Sequence, residues 1–390
     1  MKLKQQPEDF QVEELTDVMP GAGGSFAFYR LEKRGLGTPE AVQAICRRWK
    51  VELRRVSYGG LKDRHAVTRQ YLTIQRGPRR GLKQEHLHLH YLGQVEAPFT
   101  PDRVRANRFQ LVLRALDGSA CTAAERALGE VHRDGVPNYF DDQRFGSVGA
   151  GRQFIARRLI GGDYEGALKL ALAEPYEFDR AAQKAEKRIL REHWGDWAAA
   201  KAQLPRGHAR SLITYLADHP DDFRDAVARL RKDLLSLYLS AYQSHLWNQL
   251  LARWLEAHCR PEQLLRVELR LGPVPMCRHL DEDQRRAFHA QLLPLPSARL
   301  KFAADDPLKP LLDAVLRAEG LTLEQIKLKH FREPFFSKGD RPAFCIPADL
   351  SCTSGPDELN PGRRKLTLAF ELPRGCYATM LVKRITAAER

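Results

Sequence analysis

The hydrophobic and polar positions of this chain change their spacing twice, and the changes divide it into three stretches. Apolar and polar residues alternate over Phe10-Gln11-Val12-Glu13 and from Ser25 to Leu31, as in half-buried strands. Thr38-Pro39-Glu40 has the form of an N-cap, an N1 proline and an acidic first turn, and Ala41, Val42, Ala44, Ile45 and Trp49 continue it at helical spacing. Tyr71–Ile74 and Phe109–Leu113 read as strands, and Thr122–Val131 as a helix. From about Phe154 to Arg332 helical spacing dominates, over Ala181–Trp197, Asp221–Leu230 and Ser236–His258, with a proline-rich, strand-like stretch at Leu265–Met276. Strand spacing returns at Phe344–Ile346 and Lys365–Phe370. This predicts an α+β protein in which a helix-rich α+β domain is inserted and the C-terminal strands return to complete the first sheet.

At 390 residues the chain is long for one core, which agrees with two domains. Its net charge of +14 suits a polyanionic partner: nucleic acid, an anionic membrane or an acidic protein. No run approaches a membrane span, and the start, Met1-Lys2-Leu3-Lys4, lacks an apolar leader, so a cytoplasmic address is expected. The seven cysteines are odd in number and form no Cys-x-x-Cys pair, against a disulfide framework or zinc ribbon. Glu85-His86-Leu87-His88-Leu89-His90 places three histidines on one face if it is a strand. With no fourth ligand at convincing spacing, a solvent-facing edge or an RNA contact is the better reading, and a metal-dependent hydrolase the weaker one.

The most informative run is Tyr58-Gly59-Gly60-Leu61-Lys62-Asp63-Arg64-His65-Ala66-Val67-Thr68-Arg69-Gln70-Tyr71. Two glycines permit a tight loop. Asp63 then stands among Lys62, Arg64, His65 and Arg69, which favour its ionised form. The residues alone leave two readings open: a capping carboxylate in a basic loop, or a nucleophile or base. The clusters Arg47-Arg48-Lys50, Arg54-Arg55 and Arg76-Arg79-Arg80-Lys83 are expected to surround this loop and track phosphates.

Gly60-Leu61-Lys62-Asp63-Arg64-His65-Ala66-Val67-Thr68 resembles the signature loop of the TruD family of pseudouridine synthases. Further blocks agree with that family in order: Lys4–Glu14, Asn107-Arg108-Phe109 with Leu111–Arg114, Val136–Gly146, the helix Ser240–Asn248, and Leu372–Thr379. The resemblance implies a catalytic domain with a mixed or antiparallel pseudouridine synthase-type sheet, from 1–152 plus 341–390, an inserted domain at 153–340, and a cleft for RNA between them. It implies isomerisation of uridine to pseudouridine in tRNA or other structured RNA, uridine-13 of the D arm in bacterial members. No cofactor or metal is expected, because uracil is both leaving group and acceptor.

By the same resemblance Asp63 is the catalytic nucleophile or base, Lys4 its charge partner, and Phe10, Asn107, Phe109 and Tyr377 line the uridine pocket. The chain departs from the family pattern at Ala106, at Tyr377 in place of Phe, at Lys383-Arg384, and at Asp141, which is expected to add negative charge near the RNA.

Overall fold

A computed structural model of the chain describes residues 1–177, 179–331 and 333–387, and divides it into two compact units. The first comprises Met1–Val136, Arg278–Asp281 and the chain from Phe344 onward; the second comprises Pro137–Cys277 and Glu282–Ala343. The first crossing thus falls at 136/137, upstream of the 152/153 that the resemblance implies. The reason is local: in the second unit the Asn248 side chain exchanges two hydrogen bonds with the backbone of Phe140, at 2.8 and 2.9 Å.

The first unit is built on a ten-stranded mixed sheet. Its strands are β1 (Lys2–Leu3), β2 (Phe10–Leu15), β3 (Phe26–Arg34), β4 (Val56–Tyr58), β5 (Val67–Gln75), β6 (Leu82–Gln84), β7 (Leu87–Val95), β8 (Ala106–Leu116), β9 (Ala348–Pro356) and β10 (Arg364–Pro373). The order is β9-β10-β8-β2-β5-β3-β7-β6, with β1 added to β8 and β4 to β5. β2 and β5 pair in parallel and the other pairs are antiparallel. The C-terminal strands do return to this sheet, where β10 lies beside β8.

Ala27, Tyr29 and Leu31 of β3 and Leu72 and Ile74 of β5 alternate inward and bury against Ala41 and Ile45 of α1 (Thr38–Trp49). Helix α2 (Gly118–Asp134) is capped by Asp117, whose carboxylate accepts from the Ala120 amide at 2.8 Å. α1 begins one residue earlier than its sequence suggests: Gly37 is the N-cap and Thr38 the first helical residue. The Thr38 hydroxyl is thereby free for another task, described below.

In the second unit α3 (Lys232–His258) is buried over most of its middle, with Leu239, Tyr242, Leu246, Trp247, Leu250, Leu251 and Leu255 enclosed beside the polar Gln243, Ser244 and Asn248, as in a central helix. The stretch expected as one helix over Ala181–Trp197 is two, Ala181–Glu192 and Trp197–Gln203. Gly195, at φ +93, and the Asp196 cap, which accepts from the Ala199 amide, separate them. The proline-rich stretch forms an antiparallel hairpin, Leu264–Leu269 with Gly272–Cys277. Among the described residues, no helix is long and apolar enough to cross a membrane.

Two sequence blocks prove to be braces of this unit. Gln243 donates to the carbonyls of Pro296 and Ser337, and Arg341 lies over the Phe140 ring, 4.0 Å from its centroid. Asp141 is 4% exposed, so it adds no charge to the surface, contrary to expectation.

Candidate active site

Helix α4 (Ala378–Thr386) and all six residues singled out by sequence belong to the first unit. Asp63 lies in the loop joining β4 to β5. The loop leaves β4 at Gly59, where a Cβ would stand 2.4 Å from a Val104 methyl, so no side chain fits. Gly60 faces open space, so only the first glycine is needed for close approach.

The Asp63 carboxylate is about one third exposed and meets the Lys4 ammonium at 3.2 Å. Lys4 stands at φ 60, in the left-handed region that a non-glycine residue enters at a cost. Its carbonyl contacts His65 Nε2 at 3.0 Å, and β1, just before it, pairs with β8. The same ammonium sits 3.8 Å from the centroid of Phe10. Phe10 in turn meets Phe109 edge to face at 6.2 Å, and Phe109 stacks on Phe370 at 5.4 Å. An unbroken series of contacts therefore runs from Asp63 through Lys4 to the two assigned rings.

Register explains why these groups share a face. Val12 pairs with Phe109 and Glu14 with Asn107 across β2 and β8, and directly opposed residues project to the same side. Asn107 Oδ1 is buried without a hydrogen-bond partner, which is unusual for a native acceptor. Leu372 pairs with Asn107 and Pro373 with Ala106, and the chain then turns to Tyr377, the half-buried N-cap residue of α4. Tyr377 thus stands one turn beyond the strand end beside Asn107. A cavity of about 110 Å³ touches Phe109, but its other walls are mostly Gln11, Glu13, Val67, Arg69, Arg108 and Gln110. These are the alternate positions, so it opens on the opposite side of the sheet.

The loop is fastened by side chains that the sequence reading did not pick out. The Lys62 amide donates to Thr38 Oγ1 at 2.9 Å, Thr38 Oγ1 donates to Gln70 Oε1 at 2.8 Å, and Gln70 Nε2 donates to the Gly60 carbonyl at 3.1 Å. The Lys62 ammonium meets the fully buried Glu14 carboxylate at 2.7 Å. The other Glu14 oxygen accepts from the Tyr71 amide. Lys33, 2% exposed, donates to the carbonyls of Leu36, Lys62 and Asp63 at 2.7, 3.4 and 2.9 Å. One signal was available: Glu14, Lys33 and Gln70 each occupy an inward position of an alternating strand, where a polar residue needs a partner.

The basic clusters do not surround Asp63. β5 carries Arg76 away from the loop by roughly 25 Å at ~3.3 Å per residue, and α1 carries Arg47, Arg48 and Lys50 away by roughly 15 Å at ~1.5 Å per residue. Lys4 and Lys33 contact the loop from outside it, and within it Lys62 pairs with Glu14 and Arg64 reaches Glu40 at 3.8 Å. Of the three histidines, His88 and His90 share a face of β7, their rings 3.7 Å apart, whereas His86 lies in the preceding turn. Among the described residues, no group of three His, Cys, Asp or Glu is placed to hold a metal ion. The Lys383-Arg384 departure is structural at its second member: Arg384 is buried and pairs with Glu130 at 2.6 Å.

Comparison with known proteins adds an independent finding. The sequence model of the family described as tRNA pseudouridine synthase D (TruD) matches residues 1–385. The chain is 30% identical to a protein named "Probable tRNA pseudouridine synthase D 1" from Methanococcus maripaludis, covering 99% of both chains. It is 28% identical to a tRNA pseudouridine synthase D of Aquifex aeolicus, over 100% of this chain and 99% of that one. A crystal structure of a Methanosarcina mazei protein named for the same family superposes with a TM-score of 0.71 at 25% identity, covering 99% of this chain and 93% of the other.

Proposed function

The chain belongs to the tRNA pseudouridine synthase D family, and from that premise we propose that it isomerises a uridine of tRNA to pseudouridine, with Asp63 at the reacting sugar. The continuous contact from the Asp63 carboxylate through Lys4 to Phe10 and Phe109 carries this reading. The reaction breaks the bond between uracil N1 and ribose C1′, turns the base, and rejoins it through C5, from which a proton then leaves. Asp63 takes part either by bonding to C1′ as N1 departs or by removing the C2′ proton to leave a glycal. Both routes use the carboxylate, and the Lys4 ammonium stands 3.2 Å from it.

Asn107 supplies base recognition in this reading. Its buried, unpartnered Oδ1 suits the N3–H of uracil; cytosine has an acceptor at that position and would be repelled. The rings of Phe10 and Phe109 form the apolar side against which an extruded base rests. Asn107→Leu is expected to lower kcat/KM on tRNA by about 10-fold to 10²-fold, the worth of one or two hydrogen bonds in a dry site. The melting temperature should hold or rise, because the variant removes an unsatisfied acceptor. Unchanged turnover in tritium release from 5-tritiated uridine RNA would remove Asn107 from the site.

We further propose uridine-13 of the D arm as the target and the cytoplasm as the working compartment. The resemblance to bacterial family members supports the first, and the tRNA substrate the second. Chemical mapping of pseudouridine in total tRNA incubated with the protein tests the target. A new pseudouridine at position 13 is expected; modification confined to another position would redirect the proposal.

A further inference from the structure

We propose that Lys33 is a positioning residue of this reaction: its buried ammonium group binds the backbone of Lys62 and Asp63 and thereby aims the Asp63 carboxylate. The proposal rests on the reading of Asp63 given above and adds to it. Lys33 follows Ala27, Tyr29 and Leu31 on the inward side of β3, where continued alternation calls for an apolar residue. A lysine there is costly unless its charge is met. The charge is met by three carbonyl oxygens that converge from two segments, Leu36 ahead of α1 and Lys62 and Asp63 in the loop. The carbonyl of Asp63 itself is one of them, at 2.9 Å. The ammonium thus fixes the peptide groups on both sides of the Asp63 N–Cα–C unit, and from there the direction of its side chain. Thr38 and Gln70 hold the same loop by neutral hydrogen bonds, and Glu14 holds it through the Lys62 side chain. Lys33 alone grips the Asp63 backbone among these.

The ionisable groups that face Lys33 are few. Asp63 and Glu40 favour its charge and Lys62 opposes it. Beyond them Lys4 pairs with Asp63, and Arg64 lies 3.8 Å from Glu40. The flanking strands place Thr68 and Leu87 opposite Lys33, neither of which titrates. Burial pushes the ammonium down to about 8 from 10.5, with Asp63 resisting. Between those values the unfolded chain binds the extra proton, so raising the pH through this window adds stability on this account. The grip on the loop weakens as the pH rises through about 8, since a neutral amine has two hydrogens for three acceptors. Activity and stability therefore move in opposite directions, which a merely structural lysine would not produce.

The test uses the full-length protein and 5-tritiated uridine tRNA, with Lys33→Met and Asp63→Asn assayed side by side. Lys33→Met is expected to lower kcat by about 10²-fold through misplacement of the carboxylate. KM for tRNA should hold, because affinity comes largely from phosphate contacts. Hydrogen exchange at the amides of residues 61–64 should quicken while β5 stays protected. In the wild type, kcat should fall as pH rises through about 8 without a fall in melting temperature. Normal kcat in a folded Lys33→Met protein beside an inactive Asp63→Asn protein would overturn the role of Lys33 alone. Turnover by Asp63→Asn would overturn the site instead. Should Lys33→Met fail to fold, the wild-type profile decides, and a kcat flat through pH 8 rejects the proposal.

Discussion

Asp63→Asn is expected to abolish pseudouridine formation, with a loss of about 10⁴-fold or more, while the protein still binds tRNA and still folds. The magnitude is that of removing a nucleophile or base. The amide has the same shape, so Gly59, Thr38 and the Lys33 clamp have no reason to move. It can neither bond to C1′ nor accept a proton from C2′ at useful rates. Lys4 would lose its 3.2 Å partner but keep the face of Phe10 at 3.8 Å, so its departure from the site is not forced. RNA affinity should stay near wild type because phosphate contacts dominate it and Asp63 is itself negative. Removing that charge close to RNA would if anything tighten binding. Tritium release gives the rate and a filter-binding titration gives the affinity. Turnover within about 10-fold of wild type would place the reacting group elsewhere. Equal loss of binding and turnover would mean the substitution had disturbed the loop.

The features that were legible in the sequence are those encoded locally. Strand-like runs marked β2, β3, β5, β8 and β10, each of which buries at least one face, and helical spacing marked α1, α2 and α3. The loop around Asp63 was legible as a block, and its contact with Phe10 through Lys4 joins residues that a family resemblance had already grouped. What stayed hidden depends on pairings between distant segments. Sheet order is one case, since β2 lies between β8 and β5 although neither is its neighbour in sequence. Thr38 is another. It has the signature of a helix cap, yet a glycine takes that position and the hydroxyl is used by Gln70 and Lys62. The basic clusters show the converse error: close in sequence to Asp63, they are carried off by a nine-residue strand and a twelve-residue helix. Lys33 and Glu14 were passed over because charged residues in a basic chain are ordinarily exposed, and only burial shows that these two are not.

Arg114→Met is expected to destabilise the protein by about 3–5 kcal/mol, the usual consequence of leaving buried carboxylates without their cation. Arg114 is 3% exposed and joins three acids from two distant parts of the chain, Asp9 at 2.8 Å and the neighbours Asp357 at 2.9 Å and Glu358 at 3.1 Å. The Asp9 and Asp357 carboxylates are almost wholly buried, so methionine leaves two charges with little water. Burial alone would raise the Asp357 pKa. The Ala115 amide, Asn360, the Leu359 amide and Arg114 outweigh it and hold the carboxyl at about 2, below its usual 3.8. A carboxyl so depressed stabilises the fold above 3.8, and that contribution is lost as the pH falls through about 2. The variant keeps three of those four donors, so its acid transition should begin at higher pH than that of the wild type. Urea unfolding at neutral pH should show the midpoint shift, with the melting temperature lower by on the order of 10 °C. A functional consequence follows from position. Asp9 immediately precedes Phe10, and Lys2 pairs with Arg114 across β1 and β8, so Arg114 anchors both ends of the segment that carries Lys4. Well below its melting temperature, Arg114→Met should therefore lose turnover beyond the unfolded fraction, through a misplaced Lys4. A midpoint within about 1 kcal/mol of wild type would show that water reaches the acids when the guanidinium is gone.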